Sequence, residues 1–137
     1  MSGIVVFDIE TGSLPREEIE RIADPFKESS VKTGNLGLEK SLEKIRLARK
    51  THFERLQDKA ALNAEYGEVL AVGLLDDKGT STILTGDEPN ILKQFWDRAA
   101  IDSKADVIWV GFNSLAFDLP FLFRRSLISG VSIPYSC

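Results

Sequence analysis

Gly3-Ile4-Val5-Val6-Phe7-Asp8-Ile9-Glu10-Thr11 opens as an unbroken apolar, β-branched run and closes on two acids one residue apart. Such a run predicts a strand over about residues 3–9, and apolar residues at both parities predict a central strand buried on both faces. A two-residue step puts Asp8 and Glu10 on one face at the strand's carboxyl end. Neighbouring carboxylates repel unless a cation compensates, so the pair reads either as ordinary surface acids or as part of a divalent metal site. Acids that end so apolar a run are costly unless paired, solvated at an edge or bound to metal.

Downstream, Thr11-Gly12-Ser13-Leu14-Pro15 breaks the strand. Pro15 followed by Arg16-Glu17-Glu18-Ile19 predicts a helix opening on proline and acids, ended by Asp24-Pro25. A polar loop runs to Gly37. Leu38, Leu42, Ile45, Phe53, Leu56 and Ala60 then recur at helical spacing, apart from a polar gap around Arg49, and predict a long amphipathic helix. Residues of about 13–66 thus form a helical insertion. Strands follow over about 68–76 and 80–85, joined by Asp76-Asp77-Lys78-Gly79 as a hairpin turn. Ile91, Leu92, Phe95, Trp96 and Ala99 form the core stripe of a helix from Pro89 to Ile101. Val107-Ile108-Trp109-Val110 marks a strand over about 106–112, again expected to be buried on both faces. A last helix spans roughly Leu119 to Ser129 and ends at Gly130. Strand, helical insertion, hairpin, helix, strand, helix describes one α/β domain with a mixed sheet over residues 1–137.

Composition narrows the classes. With 137 residues and 43% apolar content, the chain suits one core rather than disorder. It contains no run of about 18 apolar residues and no basic leader, so no membrane contact and a cytoplasmic location are expected. Cys137 is the sole cysteine and His52 the sole histidine, which leaves no internal disulfide and no structural zinc set. A net charge of −4 argues against nucleic-acid binding through bulk charge alone. From Leu38 to Lys59, however, seven cations (Lys40, Lys44, Arg46, Arg49, Lys50, Arg55, Lys59) outnumber four acids. That segment is either a basic face or an ordinary solvated helix surface.

A second acid stands at a strand-to-helix junction, in Gly111-Phe112-Asn113-Ser114-Leu115-Ala116-Phe117-Asp118-Leu119-Pro120. Asp118 ahead of Leu119-Pro120 could be a helix cap. The flanking Asn113 amide and Phe117 ring suit a sugar-phosphate backbone and a base or ribose face. In open α/β sheets reactive groups collect where strands end, and both acidic clusters fall there.

Phe7-Asp8-Ile9-Glu10-Thr11 resembles the first exonuclease motif of the DEDD superfamily, and Gly111-Phe112-Asn113 through Phe117-Asp118-Leu119-Pro120-Phe121-Leu122 resembles the second. The likeness is closest to the proofreading domains of B-family DNA polymerases and their stand-alone bacterial and phage relatives, and implies an RNase H-like fold. It implies further that Asp8, Glu10 and Asp118 are catalytic and hold two ions, Mg²⁺ or Mn²⁺. Thr11, Asn113 and Phe117 would position the last nucleotides of single-stranded DNA, with RNA as the alternative, for hydrolysis from the 3′ end. The family's third motif, an acid with a Tyr or His, has no counterpart: Tyr135 lacks the residues that would follow it, and His52, read as a solvated helix residue, lies in the insertion. The expectation is therefore a C-terminally incomplete domain with an uncovered sheet flank or edge, weak or inactive alone. Its alternatives are a non-catalytic nucleic-acid-binding module or a subunit completed by a second chain.

Overall fold

Along Ile4–Ser13 the side chains alternate: Val5, Phe7 and Ile9 are buried, whereas Ile4, Val6, Asp8 and Glu10 are exposed. This is the pleat of a strand with one packed face. The computed structural model describes residues 3–134, so the expectations placed on Tyr135 and Cys137 lie outside it. Its elements are β1 (Ile4–Ser13), α1 (Arg16–Ile22), a 3-10 turn (Glu28–Ser30), α2 (Leu38–Ala60), β2 (Gly67–Asp76), β3 (Ser81–Leu84), α3 (Glu88–Lys104), β4 (Ile108–Val110) and α4 (Asp118–Ser129). The sheet order is β3-β2-β1-β4, with β1 antiparallel to β2 and parallel to β4.

The core lies on one side of this sheet. Val5, Phe7, Ile9, Val69, Val72 and Leu74 meet Ile91, Leu92 and Phe95 of α3 and Phe121 and Leu122 of α4. Phe7, Phe95 and Trp109 form a ring cluster with centroids 5.4–6.1 Å apart, inside the range where aromatic pairs attract. The Trp96 indole, buried among them, donates to the Ser126 hydroxyl at 2.8 Å, so the polar edge of the ring has a partner.

Both expectations of a doubly buried strand are corrected. Register places Ile4, Val6, Leu75, Ile83, Ile108 and Val110 on the opposite side of the sheet, and all six are exposed. A continuous apolar run states that both faces are apolar, not that both are covered. The first strand is also longer than 3–9. It passes through Thr11-Gly12-Ser13 because β2 carries one extra residue: Glu10 pairs with Ala71 and Thr11 with Val69, leaving Leu70 as the bulge. The β4 strand is correspondingly shorter than 106–112.

The hairpin turn forms as its sequence dictates: Gly79 takes φ +83°, and the Asp76 carboxylate accepts from the backbone of Lys78 and Thr80. Asp87 caps α3 through the Asn90 N–H. The insertion forms α1 and α2, yet of the α2 stripe only Ala60 is fully buried. Among the described residues, no helix is long and apolar enough to cross a membrane.

Candidate active site at the ends of β1 and β4

Because β1 and β4 run parallel, their carboxyl ends open on the same side. The chain leaves β4 at Gly111 beside Phe7, so closely that a Cβ there would stand 3.0 Å from the Phe7 ring and 2.7 Å from Ser114 Cβ. Glycine is required for that approach. Asn113 then adopts φ +53°, a left-handed conformation that asparagine tolerates, and its carbonyl accepts from Ala116 and Phe117. This tight turn delivers Asp118 to the first position of α4.

Asp118 is 4% exposed. The helix-cap alternative does not hold: Phe117 occupies the cap position and no side chain closes it by a hydrogen bond. Asp118 Oδ2 is buried without any hydrogen-bond partner, a costly state for a carboxylate. Burial pushes its pKa up first, and the negative charge of Asp8 pushes it further, while the Ile9 and Asp118 backbone N–H groups partly offset both. Asp118 therefore sits within the electrostatic reach of Asp8, although 110 or so positions separate them in the chain.

Asp8 and Glu10 project together from the open face. Opposite them on β2 stand Gly73 and Ala71, so no bulky neighbour covers either carboxylate. Among the described residues, no three His, Cys, Asp or Glu side chains come together as a ligand set. What fits a cation is narrower: a buried Asp118 oxygen without a partner, within the electrostatic reach of Asp8, with Glu10 on the same face of β1 as Asp8. Of the other expected contacts, the Thr11 hydroxyl donates to the Ala61 carbonyl at 2.6 Å. The Asn113 side chain is exposed, and the half-buried Phe117 packs on Phe121 with centroids 5.6 Å apart.

Sequence reading missed a buried ion pair behind the site. Glu88 of α3 and Arg125 of α4 lie 37 positions apart and approach to 2.6 Å. The only signal was negative, an arginine on the apolar face of α4. It also misread His52, which is half-buried against Phe26 and Phe53 rather than solvated.

A four-stranded mixed sheet in the order β3-β2-β1-β4, with β1 antiparallel to β2 and parallel to β4 and with helices flanking it, makes this an RNase H-like α/β domain. Residues 49–137 match a family model described as "Predicted 3'-5' exonuclease related to the exonuclease domain of PolB", and the chain belongs to that family. The matched region contains Asn113, Phe117 and Asp118; Asp8, Glu10 and Thr11 precede it. The family B DNA polymerase of the hyperthermophilic archaeon Pyrobaculum calidifontis has a similar fold over 97% of this chain, with a TM-score of 0.54 and 15% sequence identity. This chain spans 12% of that polymerase. A search of the curated proteins finds no match.

Proposed function

We propose that the domain hydrolyses phosphodiester bonds at single-stranded 3′ ends, DNA first and RNA as the alternative, using Asp8, Glu10 and Asp118 with Mg²⁺ or Mn²⁺. The observation that carries this reading is the buried Asp118 oxygen that lacks a partner, within the electrostatic reach of the Asp8 carboxylate. Asp8 and Asp118 would hold one ion between them, and Glu10, exposed beside Asp8, would orient water or complete a second position. When bound, such ions supply an activated water and neutralise charge on the leaving 3′ oxygen. Asn113, on its tight turn, would steady the phosphate backbone, and Phe117 would hold the terminal base or ribose against a wall fixed by Phe121.

Among the described residues no three His, Cys, Asp or Glu side chains converge, which favours a second reading, in which the domain binds a strand without cutting it. One assay separates the two. A 5′-labelled single strand incubated with Mn²⁺ should give a ladder of shortening products, and the ladder should disappear with EDTA. A strand bound and left intact at saturating Mn²⁺ would sink the catalytic reading and leave the binding one.

A further inference from the structure

The insertion holds a cleft of about 720 Å³ between α2, Phe26 and the loop that follows α2. Its charge is opposite to that of the chain. Lys44, Arg55 and Lys59 line it and no Asp or Glu does, in a protein whose net charge is −4. Its rings are Phe26, His52 and Tyr66; Phe26 and His52 lie with centroids 5.5 Å apart. Lys44 and Lys59 are separated by about 22 Å along the helix axis, from the rise per residue. A free phosphate would need only the cations. A duplex would present no base faces to the rings. Three cations and three half-buried rings lining one groove fit a flexible polyanion carrying flat apolar groups.

The cleft also has a direction. The Thr11 hydroxyl donates to the Ala61 carbonyl at 2.6 Å, and the Leu14 N–H donates to the Tyr66 carbonyl at 2.9 Å. These two bonds join the Tyr66 end of the cleft to Thr11 and Leu14, in and just past the last part of β1, the strand that carries Asp8 and Glu10. We propose that this cleft holds single-stranded nucleic acid on the 5′ side of the terminal nucleotide, with phosphates on Lys44, Arg55 and Lys59 and bases against Tyr66, His52 and Phe26. The proposal rests on the nuclease reading for its polarity, and on the cleft alone for its chemistry. It turns the insertion into the element that sets how long a strand must be to bind well.

Binding is measured by fluorescence anisotropy with a labelled 15-nucleotide single strand in EDTA, so that no cleavage occurs. Replacing Lys44, Arg55 and Lys59 together by Gln should make the slope of log affinity against log salt shallower by about 2. Tyr66→Ala should weaken binding about fivefold or more, and Tyr66→Phe should restore it. Lys40, Arg46 and Lys50, on the same helix but outside the cleft, replaced together by Gln serve as the control and should leave the slope near that of the parent. Equal losses from both triple replacements, or parental affinity in the cleft variants with unchanged melting temperature, would overturn the cleft. So would equally tight binding of a blunt duplex that Tyr66→Ala leaves unchanged. Binding through the cleft without any cleavage under Mn²⁺ would count against the nuclease reading only, whereas cleavage of the 15-mer at parental rate and affinity by the cleft triple variant would count against the cleft only.

Discussion

Arg125 lays its guanidinium on the Glu88 carboxylate, approaching to 2.6 Å where each side chain is 7% exposed. The same carboxylate accepts the Val69 N–H at 2.6 Å and the Ser129 hydroxyl at 3.3 Å, and Arg125 Nη1 donates to the Ala64 carbonyl at 3.0 Å. One buried pair thus ties α3, α4, the start of β2 and the loop after α2, and it fixes the helix that carries Asp118.

Removing one partner leaves the other charge buried and alone. Arg125→Met should therefore cost about 3–5 kcal/mol, and Glu88→Gln a similar amount. The double replacement should cost clearly less than the two added together, because it leaves no orphan charge. Urea unfolding of the three variants checks this; losses that simply add would show that the pair is not coupled.

Asp118 makes stability depend on pH in the absence of divalent ions. Burial and the Asp8 charge raise its folded pKa above the ordinary 3.8, so the folded state holds the proton more tightly than the unfolded chain does. That contribution to stability is fully present below the unfolded pKa and is lost as pH rises through the folded one. At neutral pH Asp118→Asn should melt higher than the parent, and the difference should close as the pH falls toward 3.8. Thermal melts in EDTA across that range would contradict this if the gap widened in acid.

Metal binding should reverse the order. Asp8→Ala and Asp118→Ala should each abolish Mn²⁺ binding measured by calorimetry, whereas Glu10→Gln should weaken it by less, since it is the Asp8 charge, and not that of Glu10, that acts on the buried Asp118. Parental affinity in both alanine variants would remove the metal site.

Gly67 starts β2 where three carbonyls crowd it. A Cβ there would lie 2.4 Å from the Ala60 oxygen, 2.9 Å from that of Asn63 and 3.1 Å from that of Gly12. All three are backbone atoms and cannot swing away, so Gly67→Ala should destabilise the protein by roughly 1–3 kcal/mol. Gly37→Ala, at a position with open space around it, is the control and should stay within about 0.5 kcal/mol. Denaturant midpoints compare the two; equal midpoints would sink the crowding argument.

Periodicity made most of the fold legible. The α2 and α3 stripes, the Gly79 turn and the Gly130 stop declare themselves locally, through spacing or backbone permissiveness. What escaped is what distance in the chain hides. Nothing in Ile4-Val5-Val6-Phe7 tells whether a second layer lies over Ile4 and Val6, because composition records apolarity and not contact. The carboxylates were legible as types at strand ends. The burial of Asp118 within reach of the Asp8 charge was not, since it depends on Gly111 and Asn113 turning the chain by a fixed amount. The Glu88–Arg125 pair left no local trace, each residue being an ordinary charge within its own helix.

The extra residue at Leu70 works as a frame correction in the strand. A pleated chain alternates between two sides, and one surplus residue swaps the assignment of all that follows. Here it returns Val69 to the interior opposite Thr11, while Leu70 folds over Gly12, where a Cβ would stand 2.8 Å from it. Deleting Leu70 would leave Val69 facing inward opposite Thr11 in a regular ladder but uncover Gly12, whereas keeping Leu70 without the bulge would turn Val69 outward. Any transplant of the α1–α2 segment onto another sheet must for that reason keep Leu70 and its bulge together or drop both, since one without the other sends the two ends of the segment to opposite faces.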